Sequence, residues 1–383
     1  MKTKINTICY MSMLLLGVYI SVYQSIINSL SKTYSINNAS VGIIIALHFI
    51  GSLITPIVFG EISDRIGKKP VAIISFSVLL SGLLAVFLFN NLFLIAAGIF
   101  LAGCGFAVIE GTLSGVLSDV NKVKTSKVIS ISQMFFSIGA VVGPLAALLL
   151  INTSGSWKAV FLLMIAMFGL ILVFFIRLPL NESVQIIRNK TDLISLKFFK
   201  EKIFILLFIS MFIYVGIEEG VAFWVNTYFI DIFNASQLGA YALSGYWTSM
   251  IIGRYLAGRF YTKRNLFLKG GLLISLLFMI IALLFRNSMV SLVCFIGVGL
   301  GFSAVWPVIM SQTADNYPKY TGTAMGIMMT AGAGGGIAIP FLIGLIANFT
   351  MIGIAFWVIP VMIILIFITQ MQVCKNEPPQ NEI

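Results

Sequence analysis

Twelve apolar segments of about 19–28 residues, joined by short polar stretches, constrain this chain more than anything else in it. At 1.5 Å of rise per residue, each such segment as a helix crosses a hydrocarbon core of about 30 Å. They fall at about 8–30, 40–61, 71–89, 92–118, 127–151, 156–177, 203–230, 238–261, 267–285, 288–312, 321–347 and 351–371. Composition agrees that lipid is the solvent. Hydrophobic residues make up 59% and charged ones 10%, where a soluble domain carries about a quarter charged residues to solvate its surface. The first run is long enough to span and is read as a transmembrane helix rather than a cleaved leader. The expected fold class is an all-α membrane protein with twelve transmembrane helices.

The basic residues orient the spans. Lys68 and Lys69, then Lys122, Lys124 and Lys127, then Arg188 through Lys202 and Arg259 through Lys269 fall in loops on the side of the termini. The opposite side receives Lys32, Lys158 and Arg286. Positive loops stay inside, so both termini are expected in the cytoplasm of a multi-pass protein of the cell membrane. This distribution accounts for the net charge of +11 without a nucleic-acid partner. The expected partners are the bilayer and a small-molecule substrate, with the chain acting as a monomer. Cys9, Cys104, Cys294 and Cys374 show neither CxxC spacing nor a histidine partner, so no disulfide or metal site is expected. With no HExxH, no nucleophile beside a base and no nucleotide loop, the chain reads as a non-enzyme that needs no cofactor. The longest polar connection separates an N-terminal bundle (1–178), a cytoplasmic linker (179–202) and a C-terminal bundle (203–383).

An internal repeat supports that division. Gly103-Cys-Gly105-Phe106 leading to Glu110 parallels Gly299-Leu-Gly301-Phe302 leading to Trp306. Gly139-Ala-Val-Val-Gly143-Pro144 parallels Gly335-Gly-Ile-Ala-Ile-Pro340. Both pairs are 196 residues apart (306 minus 110, 340 minus 144). Two related six-helix bundles around a site near the bilayer midplane is how secondary transporters are built. Glu110 and Trp306 differ in type at equivalent positions, as a site demands.

Between the second and third spans lies Gly60-Glu-Ile-Ser-Asp64-Arg65-Ile-Gly67-Lys68-Lys69. It resembles the G-x-x-x-D-R-x-G-[KR]-[KR] signature of the major facilitator superfamily. Its glycines permit a tight turn, and Asp64 is placed to accept backbone hydrogen bonds from a neighbouring helix N-terminus. The resemblance implies a conformational gate at Gly60, Asp64, Arg65, Gly67 and Lys68 that holds the outward-facing state. Topogenic charge alone is the competing reading. A weaker echo, Gly258-Arg259-Phe-Tyr-Thr-Lys263-Arg264, occupies the matching turn of the second half. Tyr214-Val-Gly216-Ile-Glu218 with Trp224, Gly105 to Glu110, Gln133 with Phe135, Gly253-Arg254 and Trp306-Pro307 resemble the fucose–galactose–glucose:proton symporter family. Ser130, where that family commonly has Asn, and a first span without an acid depart from its pattern.

Ionisable residues inside a membrane helix cost several kcal/mol and face the bundle interior or a wet cavity. Glu110, Glu218, Glu219 and Arg254 are the four that stand out. Glu110 is the expected proton carrier, with Glu218 and Arg254 also in the coupling set. Glu218 and Glu219 point about 100° apart; the family pattern favours Glu218 for the cavity and leaves Glu219 to meet a neighbouring helix. Arg254 has two candidate partners, a buried glutamate or Asp315. His48 is expected as a packed side chain rather than a relay. Sugars need aromatic platforms beside amides and carboxylates, which selects Gln24, Asn28, Gln133, Glu218, Trp224, Asn226 and Trp306 as substrate ligands. Trp157 is expected at the headgroup level and Trp357 against lipid or in bundle packing. The expected function is proton-coupled uptake of a hexose or deoxyhexose by alternating access. The alternative is a proton-coupled efflux antiporter for drugs or small metabolites, which Gly139-x-x-x-Gly143-Pro144 partly resembles.

Overall fold

The structure is a computed structural model that describes residues 2–35, 38–180 and 197–376. Among them the regular secondary structure is all helical, without strands. The helices are α1 (Lys2–Tyr34), α2 (Asn38–Ile66), α3 (Lys68–Leu88), α4 (Leu92–Val120), α5 (Thr125–Ser154) and α6 (Lys158–Ile176). They continue with α7 (Lys202–Phe233), α8 (Ser236–Arg259), α9 (Arg264–Leu284), α10 (Ser288–Phe302), α11 (Val305–Asn316), α12 (Thr321–Phe349), α13 (Ile352–Ala355) and α14 (Val358–Asn376). Helix is the form that satisfies every backbone N–H and C=O without water, which lipid does not supply.

Eleven described segments are long and apolar enough to cross a membrane, with α10 and α11 together making one crossing, Ser288–Asn316. The eighth expected span is the exception. It forms a helix of 24 residues, α8, long enough to cross but lined by Ser244, Thr248, Ser249 and Arg254. Of these Ser249 and Arg254 are buried, and a charge such as that of Arg254 belongs to the interior of a bundle rather than to lipid. The tenth expected span is interrupted: α10 stops at Phe302 and α11 starts at Val305. Pro307 sits just inside α11, where a ring without an N–H is tolerated.

Local signals set the ends. Asn91 caps α4 by accepting from the N–H groups of Phe93 (2.9 Å) and Leu94 (3.3 Å). Asn287 caps α10 in the same way, from Met289 (3.0 Å) and Val290 (3.1 Å). Each removes orphan donors that a helix start leaves unpaired. Gly67, between α2 and α3, has φ of 99°, a conformation that L side chains rarely adopt.

The chain forms two compact units. The first gathers Met1–Val123, Ile131–Ser195 and Pro318–Thr330; the second gathers Lys124–Ser130, Leu196–Tyr317 and Ala331–Ile383. The linker expected at 179–202 lies largely outside the described residues, which omit 181–196. Within the first unit α4 packs on both α2 and α3, and within the second α10 packs on both α8 and α9. Glycine makes these approaches close. A Cβ on Gly105 would meet the Ser75 carbonyl oxygen, and one on Gly301 would meet that of Gly271, the same pair displaced by 196 residues. Likewise Gly139 lies on the Leu14 carbonyl and Gly335 on that of Phe212. Small residues at such crossings let backbones meet where no hydrophobic effect drives association.

Candidate functional site

Three polar groupings stand out from the apolar helices. The first joins α4 and α5 in the first unit. Glu110 and Gln133 are both buried, and the Gln133 side-chain amide donates to Glu110 Oε1 at 3.0 Å. Sequence alone marked these two residues separately; the structure makes them a pair and buries α4 along the whole stretch from Ala102 to Ser118. Phe106, one turn before Glu110, packs on Tyr19, His48 and Phe136. His48 is buried among Tyr19, Tyr23 and Phe106, and neither ring nitrogen has a hydrogen-bond partner among the described residues.

The second grouping joins α7, α8 and α10 in the second unit. Glu218 Oε1 accepts from Tyr214 Oη at 2.9 Å and from Arg254 Nη2 at 3.1 Å. Tyr214 also reaches the Phe302 carbonyl at the end of α10, and Tyr246 Oη reaches the Glu218 carbonyl at 3.4 Å. Arg254 is only 2% exposed, so its charge and that of Glu218 compensate each other where water cannot. Of its two expected partners, Arg254 takes the glutamate; Asp315 is held by Arg264. Tyr246 was not singled out from the sequence, and nothing in a lone tyrosine would have marked it.

The third grouping lies at the ends of α2, α3 and α4 in the first unit. Asp64 accepts from Gly322 N (2.9 Å), Thr323 N (2.7 Å) and Thr323 Oγ1 (2.7 Å), so it does serve a helix N-terminus, that of α12. Lys68 lies 2.8 Å from Asp119 and 3.7 Å from Asp64, and Asp119 accepts from Thr321 Oγ1. Gly60 rests on α12, where a Cβ would come within 2.6 Å of the Gly322 carbonyl oxygen. Arg65 pairs with Glu61 one turn back along α2. Asp119 is the residue missed here. The repeat held the signal for it, because Asp119 and Asp315 share the separation of the other repeated pairs.

Other expected ligands are not gathered at these centres. Trp224 donates its indole N–H to the Pro340 carbonyl at 2.9 Å. Asn226 is exposed and lies eight residues beyond Glu218, about 12 Å along the helix axis. Trp306 is buried on α11. The side chains of Gln24 and Asn28 lie outside the described ones. Glu219, expected to meet a neighbouring helix, rests against Gly336 of α12, and its Oε2 is buried without a hydrogen-bond partner among the described residues. Trp157, just before the start of α6, is buried and donates to Thr33 Oγ1 at 3.2 Å. Trp357 is exposed, which of its two expected surroundings fits lipid.

Buried carboxylates with specific partners on apolar helices are the mark of a multi-pass membrane protein whose interior is built for work on a polar solute. The chain belongs to the major facilitator superfamily, whose family model matches residues 9–340. It is 25% identical over 308 residues to a putative glucose/galactose transporter of Helicobacter pylori, covering 74% of each chain. It is also 25% identical over 178 residues to the gentisate transporter of Corynebacterium glutamicum, covering 46% of this chain and 40% of that one. Among solved structures, the E. coli fucose:proton symporter FucP superposes with a TM-score of 0.84 at 16% identity, covering 96% of this chain and 98% of that one. That likeness fixes the fold.

Proposed function

We propose that this protein takes up a hexose or deoxyhexose together with a proton, by alternating access, as a monomer in the cell membrane with both termini cytoplasmic. The observation that carries the reading is the Glu110–Gln133 pair, a carboxylate held by a neutral amide in the buried middle of α4 and α5. A carboxylate in such a place costs several kcal/mol unless it works. An amide partner accommodates either protonation state, because it turns its N–H to a carboxylate and its C=O to a carboxyl. The same two side chains present donors and acceptors to a sugar's hydroxyls, and Phe106 one turn away supplies an apolar face. Gln24, Asn28, Glu218 and Trp306 complete the proposed ligand set, with Trp224 and Asn226 further along α7. Sugar is favoured by the name of the H. pylori relative and by the fold shared with FucP. Asp64 on the α12 N-terminus would hold one state of the cycle, with Lys68 steadying it.

The efflux alternative rests on the glycines of α5. Gly139 and Gly143 are occupied in packing α5 on Leu14, Val18 and Ser21 of α1, a sufficient reason for small residues at that spacing.

Proteoliposomes carrying an internal pH dye test the reading when D-glucose, D-galactose, L-fucose or gentisate is added outside. Sugar-driven acidification of the lumen that Glu110→Gln abolishes is the expected result. Acidification by gentisate alone would replace the sugar. Proton counter-movement with an aromatic cation, and silence with sugars, would reverse the direction of transport.

A further inference from the structure

We propose that Glu219 is a second proton-binding site of the transport cycle, protonated in the state described here and discharged when the second unit rearranges. The inference rests on the proton-coupled reading above and adds a residue to it. Glu110, Glu218 and Glu219 are not alike. Glu110 is met by an amide, and Glu218 by a guanidinium and a phenol, donors suited to an anion. Glu219 follows Glu218 directly, yet its Oε2 is buried and accepts nothing. An ionised carboxylate oxygen buried without a donor bears its full desolvation cost, whereas a carboxyl group carrying a proton does not.

The surroundings add a reason of their own. The side chain of Glu219 lies along Gly336, where a Cβ would come within 3.6 Å of its Cγ. Four residues on, inside α12, stands Pro340. Proline has no N–H, so the Gly336 carbonyl is left without the intrahelical donor a helix gives it. A protonated carboxyl can serve such an acceptor; an ionised one repels it. Loss of the proton would then weaken the seating of α7 on α12 at the place where Gly216 and Gly335 already bring the two backbones close. The neighbouring titratable and charged groups are few. Glu218 stands beside it on α7, and its negative charge further opposes a second one. From α8 come Tyr246 and Arg254, the latter bound to Glu218. The facing stretch of α12 offers Gly332, Gly335 and Gly336, α10 offers the Phe302 carbonyl to Tyr214, and α14 offers Thr369 to Ser210.

Two measurements decide it. Infrared difference spectra of the purified protein need no substrate: a protonated-carboxyl C=O band is expected at neutral pH, lost in Glu219→Gln and kept in Glu110→Gln. Absence of the band in the unaltered protein, or a band of undiminished intensity in Glu219→Gln, overturns the proposal. In proteoliposomes, a gradient of one pH unit supports about tenfold accumulation of a solute carried with one proton. Glu219→Gln should lose that accumulation yet keep exchange of labelled sugar, which shows that the protein is folded and binds. Glu219→Asp, which restores a titratable group, should keep accumulation with a displaced pH profile. Full accumulation by Glu219→Gln overturns the proposal as surely as the infrared result. If the unaltered protein accumulates none of the sugars, the sugar reading fails and the infrared arm alone decides Glu219.

Discussion

The two halves of the molecule share a frame and differ in chemistry. Lys68–Asp119 in the first unit and Arg264–Asp315 in the second are ion pairs at equivalent positions, both members displaced by 196 residues. The caps Asn91 and Asn287 obey the same displacement, as do the Gly105–Ser75 and Gly301–Gly271 crossings. For α1 and α2 against α7 and α8 the displacement is 198 (246 minus 48), read from Gly103 on the His48 carbonyl and Gly299 on that of Tyr246. In the middle of the helices the correspondence of residue type ends. Glu110 and Gln133 are answered by Trp306 and Met329, and Glu218, Glu219 and Arg254 by Ile20, Ser21 and Pro56. Packing and capping must be solved in each half alike, because lipid satisfies no backbone group. A site for one unsymmetrical solute has no such obligation. Each half therefore keeps its own acid: one with a neutral partner, one with a charged partner.

That difference sets the largest expected effect. Arg254→Leu leaves Glu218 charged and buried, which costs about 3–5 kcal/mol, and the Glu218→Leu/Arg254→Leu pair should recover most of it. Glu110→Leu in the first half costs less, about 1–3 kcal/mol, since the group it leaves is a neutral amide. Chemical unfolding of the purified protein in detergent ranks the three. If Glu110→Leu proved the more damaging, or the double variant no better than Arg254→Leu, the contrast between the halves would fall.

A smaller effect separates the matched ion pairs. Lys68 stands between Asp64 and Asp119, whereas Arg264 meets Asp315 and Ser311. Asp119 and Asp315 are 40% and 39% exposed at the side chain, so solvent screens both pairs and their intrinsic worth is modest. Asp64, whose side chain is only 4% exposed, makes the difference. Lys68→Ala is expected to cost about 1–2 kcal/mol and Arg264→Ala under about 1 kcal/mol. Thermal melting of the two variants side by side checks the order. Equal losses would mean that three hydrogen bonds from α12 hold Asp64 without help from Lys68.

Much of this frame was legible in the sequence, because apolar length and repeated glycines are properties of a single segment. The spans and the use of Asp64 at a helix N-terminus follow from residue types in order. What stayed hidden depends on how a helix is rotated about its axis. Glu218 and Glu219 are adjacent in sequence, and only the packing of Gly216 on Gly335 and of Gly336 beside Glu219 turns the first to Arg254 and the second to α12. Trp224 and Asn226 share the helix of Glu218 but stand at other levels of it, six and eight residues on. The polarity of α8 hid in plain view, since hydropathy counts Arg254 as a defect when it is half of a buried pair. The superfamily turn was read from the same residues that the structure brings together, but Asp119, outside the motif, was found only through Lys68.

The smallest expected effect probes the frame where the halves agree most closely. Asn91 and Asn287 each accept from two backbone N–H groups at a helix start, and loss of such a cap costs about 1 kcal/mol. Gly is the instructive replacement as well as Ala, because Gly at a cap costs only a few tenths. Asn91→Ala and Asn287→Ala should therefore lower stability by about 1 kcal/mol each, and the Gly variants by less. Since α4 and α10 belong to different units, the double Ala variant should show the sum of the two losses. Equal losses would show that the repeat preserves energetic roles as well as residue types. A loss confined to Asn91 would mean that α10, broken from α11 at Ser303, no longer depends on its first turn. In that event the symmetry of the frame would end closer to the membrane surface than the matched caps imply.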